Sequence, residues 1–128
     1  MDELHATIAA FLHRRAMQEG GVREVAIYAR VAPTESSNAI PLDEQVRVCR
    51  AYVRLGVDMA FLIFREVHDG DTLERSGLTE LRRAIAHGRV AVVLVTTLDR
   101  LTPDPLLLAT LRAEWIAAEV AIIAIMGQ

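Results

Sequence analysis

The sequence contains no lysine, a single cysteine and no long hydrophobic run. These absences limit the partners, the disulfides and the membrane segments that the chain can have. All fourteen basic residues are arginines, and with seventeen acidic residues the net charge is −3. This balance argues against a strongly basic nucleic-acid-binding domain. Because Cys49 is the only cysteine, no internal disulfide can form, and a reducing cytoplasm is the expected compartment. The acidic start, Asp2 and Glu3, has the wrong charge for a secretory signal.

Hydrophobic residues are plentiful but never continuous over a long stretch. No uninterrupted apolar run reaches the ~18 residues that a membrane-spanning helix needs, so we expect no membrane partner. Hydrophobic residues nevertheless make up 52% of the 128, which excludes an intrinsically disordered chain. A chain of this length forms one domain, and folding buries about two-thirds of its surface.

Helices and strands are predicted to alternate along the chain. Apolar positions at helical spacing predict an amphipathic helix over Asp2–Gln18, which Gly20 and Gly21 end. Short apolar runs predict the following strands: Val25–Val31, Met59–Val67, Val90–Thr97 and Val120–Met126. Three helices are predicted between these strands: one from Asp43 or a neighbour to Gly56, one from Leu78 to Gly88, and Leu106–Ala118. This alternation predicts an α/β three-layer sandwich with a mostly parallel central sheet.

Charged residues lie at the carboxyl ends of three of the predicted strands. Arg30 is the last residue but one of the first strand, Asp69 follows the second, and Asp99 and Arg100 follow the third. Ligands of open α/β sheets bind at the carboxyl ends of the strands, so these residues predict one shared anion site. The alternative is that they form ordinary structural ion pairs in surface loops, and the spacing alone leaves both open.

Five short motifs follow one another with a characteristic order and separation. They are Ile27-Tyr28-Ala29-Arg30-Val31, Gln45 with Cys49 and Tyr52, Asp69-Gly70, Arg75-Ser76-Gly77-Leu78, and Leu98-Asp99-Arg100-Leu101-Thr102. Taken together, they make the chain from Glu24 to Gly127 resemble the catalytic domain of serine recombinases, the resolvase/invertase family. The resemblance implies a catalytic domain over residues 22–128, with the amphipathic helix in residues 1–21 as an addition.

In that family a serine after the first strand attacks a DNA phosphodiester and forms a phosphoserine linkage. The reaction uses neither metal nor cofactor, and arginines stabilise the charge on the transferring phosphoryl group. The resemblance places Arg30, Arg75 and Arg100 at phosphate-facing positions. It places Gln45, Asp69 and Asp99 at the accompanying polar positions. We therefore expect these six to be the site residues, with no cofactor and no metal.

The departures from the family pattern concern the same site. Ala32 occupies the position of the nucleophilic serine and has no hydroxyl group. Pro103 stands where a further arginine is expected, Asp71-Thr72 replaces a Ser-Gly step, and Ala91 replaces an aspartate. The sequence therefore predicts a catalytically inactive recombinase-like domain that binds DNA backbone weakly at most.

Two other functions stay open. The first is a non-catalytic module that uses the sheet edge or the N-terminal helix to bind a protein partner or a second copy. The second is an active recombinase in which Ser36 or Ser37 replaces the missing nucleophile. A metal enzyme is not predicted, since the four histidines are scattered without ligand spacing.

Overall fold

The computed structural model describes residues 23–34, 39–53 and 61–127. The elements are β1 (Glu24–Val31), α1 (Leu42–Val53), β2 (Phe61–Val67), α2 (Ser76–Ala86), β3 (Val90–Val95), a 3-10 turn (Leu98–Arg100), α3 (Pro105–Ala117) and β4 (Ala121–Ala124). The predicted helix over Asp2–Gln18 and the two alternative nucleophiles, Ser36 and Ser37, lie outside the described residues.

The four strands form one sheet in the order β2-β1-β3-β4, and every neighbouring pair is parallel. All six residues of β3 are buried, as are residues 25–30 of β1. Nearly continuous apolar strands of this kind are typical of parallel sheets that are covered on both faces. The predicted three-layer α/β fold with a parallel sheet is therefore confirmed.

Helices pack on both faces of the sheet. One face carries α2 and α3, whose Leu81 and Trp115 pack with Tyr28 of β1. The other face carries α1, which contributes Val46 and Cys49 to a second core. Burial raises the pKa of the Cys49 thiol to about 12, so the thiol stays protonated and unreactive at neutral pH. Nowhere in the described part of the chain is there a helix with the length and apolar character needed to cross a membrane.

The two helices on the same face begin in different ways. The Asp104 side chain starts α3 by accepting hydrogen bonds from the amides of Leu106 and Leu107, at 2.8 and 3.4 Å. The first residue of α2 follows Arg75, which provides no side-chain cap. Glu66 of β2 takes over this role and accepts from the amides of Gly77 and Leu78, at 2.8 and 3.1 Å. A distant acidic side chain therefore ties the start of α2 to the sheet.

The first two strands end at Val31 and Val67, as predicted, whereas the last two are shorter than predicted at their carboxyl ends. The third strand ends at Val95 instead of Thr97, and the regular part of the last strand covers only Ala121–Ala124. Ile125 and Met126 still donate to the carbonyls of Val95 and Thr96, at 3.0 and 2.9 Å. Pairing therefore continues into an irregular backbone, which an apolar pattern cannot distinguish from a regular strand.

Candidate active site

The candidate site lies at the carboxyl edge of the sheet, between β1 and β3. The chain passes from β1 to β2 on one side, and β3 lies on the other side of β1. Ligands of open α/β sheets bind in the crevice where the strand order reverses in this way. Ala32 directly follows β1 at this point, and the 3-10 turn Leu98–Arg100 follows β3.

Backbone carbonyls from two loops hold the guanidinium group of Arg30. Its Nη1 donates to the His68 carbonyl at 2.6 Å. Its Nε and Nη2 donate to the carbonyls of Arg100 and Asp99, at 2.8 and 2.7 Å. The residue is only 2% exposed. Hydrogen bonds from a charged donor are stronger than neutral ones, so Arg30 joins the loop after β2 firmly to the loop after β3.

Gln45 and Arg100 both bind the backbone of Arg30. The buried Gln45 side chain accepts from the Arg30 amide at 3.2 Å and donates to the Arg30 carbonyl at 3.0 Å. The same carbonyl accepts a hydrogen bond of 2.7 Å from Nη1 of Arg100. Three predicted site residues, on β1, α1 and the 3-10 turn, therefore meet at the end of β1.

Asp99 lies at the exposed rim of this arrangement. Its carboxylate accepts from the Thr97 hydroxyl and lies 3.5 Å from Nη2 of Arg100. Burial raises the pKa of Asp99, but the hydrogen bonds from Thr97 and Arg100 and the nearby positive charge outweigh it. The resulting pKa lies below the usual value, so Asp99 is ionised and partly neutralises Arg100.

Asp69 is exposed, and the backbone of the following residue, Gly70, is fixed by two hydrogen bonds. The amide of Gly70 donates to Nδ1 of His68 at 2.9 Å. The carbonyl of Gly70 accepts from the Thr102 hydroxyl at 2.6 Å. The loop after β2 is thus bound to the loop after β3 a second time, and Asp69 lies beside the other site residues on a well-defined backbone.

Arg75 lies in a separate buried cluster with Tyr28 and Glu66, which we call the Tyr28–Glu66–Arg75 cluster. Its Nε donates to Glu66 Oε2 at 3.1 Å, and its Nη2 donates to the Tyr28 hydroxyl at 3.0 Å. Nη2 also donates to the carbonyl of Leu101, next to Arg100. The Arg75 side chain is completely buried. Its guanidinium therefore stabilises the loop after β3 from the interior of the domain, through the carbonyl of Leu101.

Charges within the Tyr28–Glu66–Arg75 cluster are balanced. Burial raises the pKa of Glu66, but hydrogen bonds from Tyr28, the Gly77 amide and Arg75 outweigh it, and the net pKa lies below the usual value. Burial and the hydrogen bond to Glu66 both raise the pKa of Tyr28, so its hydroxyl stays protonated and donates. The cluster therefore holds one carboxylate against one guanidinium.

A protein-family model matches most of the chain. The model of the resolvase N-terminal domain matches residues 25–128. This chain belongs to the resolvase N-terminal domain family. The resemblance predicted from the five motifs is thereby confirmed. A search of curated proteins finds no significant match.

Solved structures place the resolvase domain among serine recombinases. The C-terminal catalytic domain of ISC1926 TnpA, an IS607-like serine recombinase, is 25% identical with a TM-score of 0.69, over 82% of this chain and 69% of that one. A serine recombinase from Sulfolobus solfataricus is 25% identical with a TM-score of 0.68, over 83% and 70%. The N-terminal catalytic domain of TP901-1 integrase shares the fold, with 24% identity and a TM-score of 0.71, over 80% and 78%.

The resolvase domain brings most of its predicted site residues to one place. Arg30, Gln45, Asp99 and Arg100 are linked by hydrogen bonds at the end of β1. Asp69 is on the adjoining loop, whereas Arg75 is buried in its own cluster. That these arginines face a phosphate stays a prediction. In the described part of the chain, no three His, Cys, Asp or Glu side chains are grouped so that they could hold a metal ion.

Glu66, whose carboxylate accepts hydrogen bonds from Tyr28, Arg75 and the amides of Gly77 and Leu78, was not among the residues predicted from the sequence. A signal was available, because Glu66 alternates in phase with Leu62 and Phe64, which pack into the core. Its neighbour Arg65 is exposed instead. An acidic residue on the buried side of a strand predicts an internal partner, since an unpaired buried charge is very costly.

Gly70 gives a direct test of how tightly the site loops are packed. Its φ is +82°, and a Cβ there would lie 2.9 Å from Cζ of Arg30 and 3.0 Å from Cδ of Pro103. We expect Gly70→Ala to lower the free energy of unfolding by about 2 kcal/mol or more, since the backbone penalty alone is roughly 1–2 kcal/mol. Urea unfolding followed by circular dichroism measures the change.

The matched control is Gly88→Ala. Gly88 has a similar φ of +74°, but a Cβ there meets nothing within 4 Å. The Gly88→Ala variant therefore has the same unfavourable backbone conformation, but its new methyl group does not displace Arg30. The difference between the two variants is due to the packing of Gly70 against Arg30 and Pro103. Equal losses in both would show that the Arg30 side chain is not held in place.

Proposed function

We propose that this resolvase domain is a non-catalytic member of the serine recombinases and does not cleave or rejoin DNA. The observation that carries the proposal is Ala32, directly after β1 at the switch point of the sheet. The resemblance puts the attacking serine at this position. A methyl group cannot attack a phosphodiester, so no covalent intermediate can form there.

The hydrogen bonds of Arg30 and Arg75 support the same proposal. Stabilising a transferring phosphoryl group requires donors aimed at the place where its charge develops. Instead, each guanidinium nitrogen of Arg30 donates to a backbone carbonyl. Arg75 is paired with Glu66 and has no exposed side-chain surface. Of the three predicted phosphate-facing arginines, Arg100 has the most exposed side chain, at 13%.

We further propose that any contact with the DNA backbone is weak and runs through Arg100. The carboxylates of Asp69, Asp71 and Asp99 are exposed near the same edge of the sheet, and the whole chain has a net charge of −3. Nucleic-acid affinity comes largely from neutralising phosphates with basic side chains. One partly exposed arginine among carboxylates supplies little of this interaction.

An assay of covalent complexes tests the missing chemistry. We expect the wild-type chain, incubated with supercoiled plasmid, to leave the DNA intact and to form no protein–DNA adduct that survives denaturation. Such adducts are the lasting product of a phosphoserine linkage and are seen as protein of reduced mobility on denaturing gels. An active serine recombinase acting on its own site provides the positive control.

Two variants show which hydroxyl group is missing or responsible when an adduct is absent or present. An adduct formed by Ala32→Ser but not by wild type would show that the hydroxyl is the missing part, in agreement with the proposal. An adduct formed by the wild-type chain would contradict it. If a Ser36→Ala, Ser37→Ala double variant then abolished that adduct, the alternative nucleophiles of the neighbouring loop would be responsible.

A further inference from the structure

His68 fixes the loop after β2 through three hydrogen bonds. Its amide donates to the carbonyl of Val31 at 2.9 Å, and its carbonyl accepts from Nη1 of Arg30 at 2.6 Å. Its imidazole nitrogen Nδ1 accepts from the amide of Gly70 at 2.9 Å. Since Val31 directly precedes Ala32, His68 binds this loop to the end of β1, beside the candidate site.

The hydrogen bond to the imidazole depends on its protonation state. In a neutral imidazole one ring nitrogen accepts and the other donates, whereas in the imidazolium form both carry a proton and donate. Protonation of His68 at Nδ1 therefore places an N–H group against the N–H group of Gly70. Gly70 is buried, and a buried amide that loses its acceptor is costly. The closed arrangement of this loop therefore requires a neutral His68.

Gly70 transmits a change in this loop to Arg30. A Cβ atom at Gly70 would lie 2.9 Å from Cζ and 3.1 Å from Nη1 of Arg30, so the glycine backbone packs directly against the guanidinium. The same Nη1 donates to the carbonyl of His68, two residues before Gly70. A movement of Gly70 therefore disturbs one of the three hydrogen bonds that hold Arg30.

We infer that His68 is a pH-sensitive switch for the candidate site, which opens the loop after β2 and releases Nη1 of Arg30 when the imidazole is protonated. Histidine is the side chain that ordinarily changes its charge between about pH 5 and pH 8. The loop is therefore closed at the upper end of this range and opens toward the lower end. Arg30 keeps its hydrogen bonds to the carbonyls of Asp99 and Arg100, while Nη1 can then donate to a phosphate oxygen.

Other charged groups near this loop keep their charge over the same range. Four segments supply them: Arg30 comes from β1, Asp69 and Asp71 from the loop, Asp99 and Arg100 from the 3-10 turn, and Asp104 from the start of α3. Arginine stays protonated in proteins, and an aspartate side chain ordinarily titrates at about pH 3.9. His68 is thus the described residue at this edge whose charge changes between about pH 5 and pH 8.

Nuclear magnetic resonance at the Gly70 amide tests the switch in the full chain. As the pH is lowered from about 7.5 to about 5, we expect the Gly70 amide resonance to shift along the protonation curve of the His68 imidazole. The protection of this amide from hydrogen exchange, expressed relative to an unfolded peptide at the same pH, should fall by roughly tenfold or more. A Gly70 amide that neither shifts nor loses protection would overturn the inference.

The Arg30 side chain shows whether the opening reaches the guanidinium. A guanidinium that three carbonyls hold rotates slowly about its Nε–Cζ bond, so its two Nη groups give separate resonances. Release of Nη1 removes one of these restraints, and we expect the two resonances to merge at the acidic end of the titration. Separate Nη resonances over the whole range would contradict the release of Arg30.

The consequence of releasing Arg30 rests on the proposed function, in which this edge of the sheet contacts DNA backbone weakly. The two proposals can nevertheless fail separately. A Gly70 amide that does not respond to pH overturns the switch and leaves the missing chemistry of Ala32 untouched. A covalent adduct formed by the wild-type chain contradicts the proposed function and leaves the switch intact.

Two asparagine variants provide matched controls. The side-chain oxygen of asparagine accepts from an amide two residues further on and does not titrate, so His68→Asn should make the protection of Gly70 independent of pH. His87→Asn removes the exposed histidine after α2 and should keep the wild-type response. A wild-type response in His68→Asn would show that another group opens the loop, which would overturn the inference. Circular dichroism confirms that each variant is folded.

Discussion

Replacing Glu66 by alanine should lower the free energy of unfolding by about 3–5 kcal/mol, the usual effect of removing one partner of a buried ion pair. The completely buried Arg75 loses its counter-ion, which lies 3.1 Å away. The amides of Gly77 and Leu78 lose the carboxylate that caps α2. The Tyr28 hydroxyl loses its acceptor as well. One substitution therefore leaves several buried polar groups without partners, and each is costly.

Glu44→Ala is the control for this prediction. Glu44 also pairs with an arginine, Arg47, but both side chains are largely exposed, at 44% and 67%. Exposed ion pairs contribute little, because water already solvates both groups. We expect no measurable change in the urea midpoint of this variant. A Glu66→Ala variant that behaved the same way would contradict the role assigned to the Tyr28–Glu66–Arg75 cluster.

The stability that Glu66 contributes should decrease as the pH is lowered. The pKa of Glu66 is lower in the folded chain than its ordinary value, so the native state favours the ionised form. Its contribution is fully present above the unfolded pKa of about 4.3 and is lost as the pH falls through the folded pKa. The stability difference between wild type and Glu66→Gln should thus be largest at neutral pH and shrink in acid. A constant difference would contradict this.

Among the residues that the structure describes, the sequence patterns predicted the helices and strands, apart from the ends of β3 and β4, and the sheet edge where the site lies. The continuous apolar run of β3 predicted a strand buried on both faces, and all six of its residues are buried. Placing Arg30, Asp99 and Arg100 at the same edge required only the rule that parallel strands end together. These predictions depend on local periodicity and on topology, which a single sequence carries.

The directions of the arginine side chains could not be predicted in the same way. Arg30 is directed by the carbonyls of His68, Asp99 and Arg100, which belong to loops far apart in the sequence. Every residue has a backbone carbonyl, whatever its side chain. A sequence motif therefore does not show that these three carbonyls meet at the Arg30 guanidinium. A guanidinium has five N–H donors, which can serve either a phosphate or a set of backbone carbonyls. Whether an arginine binds a ligand or its own backbone is therefore settled only by the tertiary structure.

Arg30→Lys separates these two roles. If Arg30 mainly holds the site loops, the variant should lose about 2–4 kcal/mol of unfolding free energy, since hydrogen bonds to charged groups contribute about 1.5–3 kcal/mol each. A lysine ammonium keeps the charge, but it cannot reproduce the planar fork that reaches three carbonyls. Weak binding to a fluorescein-labelled DNA duplex, measured by anisotropy, should be unchanged where the variant is folded.

Arg100→Lys provides the comparison for both measurements. Arg100 donates to the main-chain carbonyl of Arg30, and its side chain is 13% exposed, whereas the whole of Arg30 is only 2% exposed. We therefore expect a smaller loss of stability together with weaker DNA binding, the opposite pattern to Arg30→Lys. If Arg30→Lys instead kept its stability and lost affinity for the duplex, Arg30 would face the phosphate. The carbonyl contacts would then be replaced when DNA binds, and the site would be more like that of an active recombinase than the proposed function allows.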